Sequence, residues 1–409
     1  MTKQRYIFLI LILGTLTALG PFSIDMYLPG FPAIATYMHT SVPEVALSLS
    51  SFFIGLSAGQ LLYGPLLDKY GRKKPLYFGL TFYVIASVGC AFAGSLHALI
   101  LLRFIQAIGS CAAAVASMAM VRDLFPVKDN AKVFALLMLV VGASPMIAPT
   151  VGGYVTAGAG WQWVFIILAV MGALILLAVI FALPDSYQPD KSLSLKPIPI
   201  INGFWVVLKE PQFYTYAFTG ALAFSGLFAY VAGSPMVFME VFGVSKENYG
   251  WIFAGLSVGF IGSSQVNSLL LKKYRSEQIV KVSLSAQAII AALFFTGALN
   301  NVFGLYGTVA MIFLFLCCIG ITNPNTAALT LAPFAKNAGT ASSLMGALQL
   351  GIGALVSTAV GMFDSKSVLP LAIVVFGSSL LAFVVYFTSI RINRDRFIAA
   401  DNEVVVVGH

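Results

Sequence analysis

Apolar residues run along this chain in long blocks, each bounded by charges or by Gly/Pro clusters. Twelve blocks start near Tyr6, Ala46, Pro75, His97, Lys132, Trp161, Gln212, Asn248, Ile279, Val302, Gly339 and Val368. The hydrocarbon core of a bilayer takes roughly 20 apolar residues per helix, and the blocks have that length. They are mixtures of Leu, Ile, Phe, Gly and Ala, without the short alternating strands that a lipid-facing barrel needs to close its backbone hydrogen bonds. The pattern predicts an all-α membrane protein with twelve transmembrane helices. The first block runs to about Tyr37 with Pro21 and Asp25 inside it. A secretory apolar region is only about 7 to 15 residues long, so this block is read as an uncleaved first helix.

The longest polar stretch between blocks, Pro184 to Pro211, carries Asp185, Asp190, Lys191, Lys196 and several prolines. It divides the chain into a six-helix bundle over 1–184, a cytoplasmic linker over 185–211, a second six-helix bundle over 212–392 and a cytoplasmic tail of little order over 393–409. Internal similarity supports two pseudo-symmetric halves. Phe53-Ile54-Gly55-Leu56-Ser57-Ala58-Gly59 in helix two matches Phe253-Ala254-Gly255-Leu256-Ser257-Val258-Gly259 in helix eight, and each copy is a GxxxG that predicts close helix packing. Leu66-Leu67-Asp68-Lys69-Tyr70 likewise parallels Leu270-Leu271-Lys272-Lys273-Tyr274. Repeated halves with a site between them are a construction common among secondary transporters.

Composition agrees: 59% of the residues are hydrophobic and 9% charged, against about a quarter charged in soluble domains. The net charge of +8 raises the question of nucleic acid, and its placement answers it. If odd-numbered helices run outward, twenty of the 23 Lys and Arg residues fall in inside segments, only Lys246 and Lys366 fall outside, and Arg103 lies within a helix. This is the positive-inside pattern, which puts both termini in the cytoplasm. Cys90, Cys111, Cys317 and Cys318 lie in predicted helices as small apolar residues, so neither a disulfide framework nor a zinc site is expected. The short loops hold no catalytic constellation, which argues against a membrane enzyme.

The segment Gly64-Pro65-Leu66-Leu67-Asp68-Lys69-Tyr70-Gly71-Arg72-Lys73-Lys74, between helices two and three, resembles the signature loop of the major facilitator superfamily. That resemblance implies the major facilitator fold and a gating role for Asp68 and Arg72, with Asp123 supplying the acid that Arg72 meets at the inner end of helix four. Leu101-Leu102-Arg103-Phe104-Ile105-Gln106-Ala107-Ile108-Gly109 resembles a second family motif, with Ala107 where glycine is usual. In helix five, Gly142-Ala143-Ser144-Pro145-Met146-Ile147-Ala148-Pro149-Thr150-Val151-Gly152-Gly153 resembles the motif of proton-coupled exporters, with Ala148 replacing a glycine; it brings Pro145, Pro149, Gly152 and Gly153 into the gating set. Ser23-Ile24-Asp25-Met26-Tyr27-Leu28-Pro29 and Gly339-Thr340-Ala341-Ser342-Ser343-Leu344 are similar to the bicyclomycin-resistance branch of the drug/proton antiporters. The resemblance implies multidrug efflux of small antibiotics from the inner membrane of a bacterium, by a monomer that uses protons as coupling ion and no other cofactor. The alternative is a proton-coupled importer or exporter of a small metabolite such as a sugar or amino acid.

Asp25 and Arg103 are the strongest site candidates that the residues alone provide, because an ionisable group near the middle of a membrane helix costs roughly 2.5 to 3.5 kcal/mol. At 1.5 Å per residue, Asp25 lies about 28 Å beyond Tyr6 and Arg103 about 9 Å in from His97. These depths are similar, so a pair or a shared cavity is feasible. Asp25 has three readings: proton carrier and substrate anchor, structural partner of Arg103, or helix-end cap near Pro29. Arg103 is read as an electrostatic partner in proton coupling. Tyr27, Tyr230, Met236, Asn323, Asn325 and Gln349 are further substrate-lining candidates, since apolar pockets with a few polar anchors suit varied ligands. Asn323-Pro324-Asn325 also reads as a hinge, because proline removes a helical hydrogen bond.

Overall fold

The computed structural model describes residues 3–125, 127–187, 189, 197–334, 338–363 and 367–393. The tail predicted over 393–409 lies, beyond Asn393, outside the described residues. Contacts gather the chain into two units, Met1–Leu195 with Gly243–Ala254, and Lys196–Phe242 with Gly255–His409.

The first unit contains α1 (Lys3–Asp25), α2 (Phe31–Tyr37), α3 (Val42–Tyr70), α4 (Lys73–Ala91), α5 (Leu96–Leu124), α6 (Val127–Gly158) and α7 (Trp161–Phe181). In the second are α8 (Pro197–Leu208), α9 (Pro211–Pro235), the larger part of α10 (Lys246–Leu270), α11 (Ser276–Leu299), α12 (Leu305–Leu331), α13 (Ala338–Gly361) and α14 (Leu369–Asn393). All regular secondary structure among the described residues is helical, with no strand among them. Eleven helices among the described residues are long and apolar enough to cross a membrane. The twelfth predicted span, α10, has 25 residues but carries Lys246, Glu247, Asn248 and Asn267, which lower its apolar content. Large apolar side chains such as Phe78, Phe82, Ile85, Leu174, Ile289 and Leu293 stand exposed on the helix surfaces. Lipid is the solvent that accepts such surfaces.

The predicted first helix is not continuous. α1 ends at Asp25, a tight 3₁₀ turn occupies Leu28–Gly30, and α2 begins at Phe31. Pro29 explains the break: it has no N–H to give to the Asp25 carbonyl four residues back, so the helical ladder stops there. Helix starts follow their caps. Ser41 and Glu44 form a reciprocal capping box at α3, and Ser95 Oγ accepts the Ala98 N–H at α5. Between α6 and α7 the chain turns at Gly160, whose φ of +99° suits glycine.

Glycine sets the distance between helices. A Cβ on Gly55 would sit 2.6 Å from the Phe104 carbonyl, and one on Gly59 2.6 Å from Cys111, so the first GxxxG lets α3 lie directly on α5. The second copy behaves differently from the expectation. Gly255 has open space around it, and Gly259 makes room for the Phe313 ring. The close backbone approach of α12 to α10 is made instead by Gly320, against the Phe260 carbonyl. Within the predicted linker, α8 presents Ile198, Ile201, Trp205 and Val206 more than half exposed, an apolar surface in a segment whose prolines and charges read as polar.

Candidate functional site

Within the first unit, Asp25 is 4% exposed and Arg103 is fully buried. They do not pair: among the described residues no carboxylate lies within 4.0 Å of Arg103. The reading of Asp25 as the structural ion partner of Arg103 is therefore corrected. The Arg103 charge is met by other groups. Its Nη1 donates to Gln106 Oε1 at 2.6 Å, and its Nη2 donates to the Ser23 carbonyl at 2.9 Å. The guanidinium lies 4.2 Å from the centre of the Phe52 ring and 4.5 Å from that of Tyr27, with Phe165 at 5.8 Å. A cation between ring faces gains about 2 kcal/mol or more when desolvated.

The supports of this arrangement come from α1, α3, α4, α5 and α7. Gln106, one turn along α5 from Arg103, donates through Nε2 to Ser87 Oγ on α4 at 2.7 Å. Ser23 Oγ donates to the Leu19 carbonyl and pairs with the Tyr83 hydroxyl at 2.7 Å. The Tyr27 hydroxyl pairs with Ser48 Oγ on α3, and its ring packs on Phe31 and Phe165. Tyr27 thus serves the Arg103 cage. Asp25 stands two residues beyond Ser23 at the end of α1, and its carboxylate has no hydrogen-bond partner among the described residues. Gln106, Ser87, Tyr83, Ser48 and Phe52 were not singled out from the sequence. Only Gln106 carried a signal, as a polar residue at i+3 from a buried arginine.

α6 closes this region. A Cβ on Gly152 would overlap the Met26 carbonyl, so only glycine lets α6 reach the break that follows Asp25. Its neighbour Gly153 faces the Lys246 carbonyl at the start of α10, 2.5 Å from where a Cβ would stand. Pro145 and Pro149 lie inside α6, which continues through both.

The loop between α3 and α4 is a second centre. Arg72 donates through Nε to Asp123 Oδ2 at 2.8 Å and through Nη1 to Asp68 Oδ1 at 2.7 Å, and the Tyr187 ring covers it at 4.0 Å. Ser186 Oγ also donates to Asp123. Burial works against the charge of Arg72, but the hydrogen bonds and charges of Asp123 and Asp68 outweigh it and hold the guanidinium above its ordinary range. Ser186 and Tyr187, from the predicted linker, were not foreseen as part of this cluster.

In the second unit a cavity of about 130 Å³ lies between α9, α12 and α13, lined among others by Tyr216, Asn323, Thr326, Thr330, Met345 and Gln349. Gln349 Nε2 donates to Asn323 Oδ1 at 2.8 Å across it. Of the predicted lining residues, the structure brings these two together. Asn325 turns away: its Nδ2 donates to Asn267 Oδ1 on α10 at 2.7 Å and to the Ile321 carbonyl. Tyr230 and Met236 are buried but do not line this cavity, and Met236 opens a π-turn, Met236–Val241. The Asn-Pro-Asn segment stays within α12, where Asn325 Nδ2 takes up the Ile321 carbonyl.

The paired helical units, the Arg72 loop and the buried arginine of α5 are accompanied by direct evidence of kinship. The model of the Major Facilitator Superfamily matches residues 13–358, and the chain belongs to that family. It is 31% identical to an uncharacterized MFS-type transporter, YdgK, of Bacillus subtilis over 94% of this chain and 96% of the relative. To the bicyclomycin resistance protein homolog of Haemophilus influenzae it is 29% identical, again over 94% and 96%. Its fold matches the crystal structure of a bacterial homologue of the human lysosomal transporter Spinster with a TM-score of 0.75, covering 98% of this chain and 100% of that one at 16% identity. The fold class and the family resemblance expected from the sequence are both borne out.

Proposed function

We propose that this transporter exports small drugs by proton antiport, with Asp25 as the coupling acid. The observation that carries the proposal is Asp25 itself, a carboxyl group 4% exposed in a membrane helix with neither cation nor hydrogen-bond donor against it among the described residues. Charge at such a position is costly, and uptake of a proton removes the cost. Arg103 holds the Ser23 carbonyl two residues away, so a change of charge at Asp25 is felt by a rigid neighbour. Drug export is supported by the resistance name of the Haemophilus influenzae relative. Asn323 and Gln349 offer amide contacts for a drug, and Arg72 with Asp68 and Asp123 forms a latch that opens and closes during transport. The transporter works as a monomer in a bacterial inner membrane, with both termini in the cytoplasm.

The test is drug-triggered proton release from detergent-purified protein across pH 6 to 9, with bicyclomycin and chloramphenicol in the panel. Wild type is expected to release protons on binding drug, and Asp25→Asn to bind without release. Unchanged release from Asp25→Asn, or binding to wild type with no release at all, refutes the assignment.

A further inference from the structure

A groove of about 480 Å³ lies between α10, α11 and α12, away from the Asn323/Gln349 cavity. Its walls are Leu270, Ile279, Val282, Ala286, Cys318 and Ile321. The polar floor is already satisfied, because Thr322 Oγ1 donates to Ser283 Oγ at 2.8 Å. The remaining polar lining groups, Tyr274 and Gln278, sit together at one end. Cations gather at that end. Lys273 Nζ lies 5.6 Å from the Tyr274 ring centre, and the backbone N–H of Arg275 donates to Gln278 Oε1 at 3.2 Å, fixing the start of α11 there. Lys272, Lys273, Arg275 and Lys281 are all exposed, with Glu277 the acid beside them. Among the described residues none of the four has a carboxylate within 4.0 Å.

A long apolar trough with a cationic, hydrogen-bonding mouth has the polarity of an anionic amphiphile. We propose that this groove binds one acyl chain of an anionic glycerophospholipid, whose phosphate is held at Lys272, Lys273 and Arg275, in the leaflet that the 271–275 turn faces. A zwitterionic lipid fits the trough equally well but brings its own cation to the mouth. The preference therefore comes from charge, at about fivefold per basic residue near the surface. Val282 is 70% exposed, so a chain enters the groove sideways from the bilayer.

Native mass spectrometry of the full chain in detergent tests this, titrating dioleoylphosphatidylglycerol against dioleoylphosphatidylethanolamine. Wild type is expected to keep the anionic lipid with a preference of at least about tenfold. Lys272→Gln/Lys273→Gln/Arg275→Gln should bring the preference near unity, and Ala286→Trp should remove the tightly held lipid while leaving the mouth intact. As a second reading that needs no variant, reaction of Cys318 with a small apolar maleimide, followed by peptide mapping, should slow with added phosphatidylglycerol and not with phosphatidylethanolamine. Equal retention of the two lipids overturns the proposal. So does a preference that survives both variants, or drug in place of lipid protecting Cys318.

Discussion

At the scale of single residues, the two charges buried within the helices, Asp25 and Arg103, are separated rather than paired, whereas Arg72 is paired, and this decides what each substitution does. Arg103 is held by two carbonyl-type oxygens and two ring faces, a geometry that a planar guanidinium fills and an ammonium does not. Arg103→Lys therefore loses at least one charge-assisted bond, worth about 1.5 to 3 kcal/mol. Transport should fall by roughly ten- to a hundredfold in vesicles although the net charge is kept; activity near wild type would show that charge alone is needed. Arg72 offers a contrast between its two acids. The Asp68 side chain is 49% exposed and that of Asp123 14%, so solvent screens the first pair to about 0 to 1 kcal/mol, whereas the second approaches the cost of breaking a buried pair, up to about 3. Melting temperature in detergent should drop clearly for Asp123→Ala and little for Asp68→Ala. Asp25, Arg103, Asp68 and Arg72 were legible in the sequence because ionisable residues stand out in apolar runs and motifs. The Ser23 carbonyl, Phe52 and Tyr83 were not, since backbone oxygens and aromatic rings are everywhere in such a chain and only the fold selects these.

Between elements, backbone proximity is the controlling quantity, because lipid gives no hydrophobic drive to helix association and packing must supply it. Gly152 and Gly20 make an internal comparison. A methyl group at Gly152 collides with the Met26 carbonyl, whereas one at Gly20, inside α1, meets nothing within 4 Å. Gly152→Ala must push α6 off the end of α1, at the 1 to 3 kcal/mol typical of overpacking; Gly20→Ala adds helix propensity of up to about 1 kcal/mol. Thermal melts should therefore move in opposite directions, and a matched shift would mean that the approach of α6 to Met26 is soft. Element existence was well legible, as the twelve apolar blocks correspond to α1 with α2, then α3 to α7 and α9 to α14. Two features were not. The break after Asp25 depends on one missing N–H at Pro29 inside an otherwise apolar run, and the contact role of the second GxxxG depends on which face α10 turns to α12.

For the whole molecule, the proposed role of Asp25 as coupling acid has the consequence that exchange and energisation separate on its removal. One proton moving inward down 100 mV releases about 2.3 kcal/mol, and one pH unit adds about 1.4. The sum, about 3.7 kcal/mol, sustains a drug gradient of several hundredfold for one proton per drug, since each factor of ten takes about 1.4 kcal/mol. Asp25→Asn is nearly the same size and has no charge to neutralise, so it imitates the proton-loaded carrier at every pH. In proteoliposomes this variant should still exchange labelled for unlabelled drug, because the helices that move are unaltered, but imposed potential and pH gradients should no longer drive accumulation above the equilibrium ratio. A protonophore should bring wild type to the same ratio and leave the variant unchanged. Loss of exchange together with loss of accumulation would place Asp25 in the architecture of the α1 break rather than in coupling, while uphill accumulation by the variant would move the proton to another group altogether.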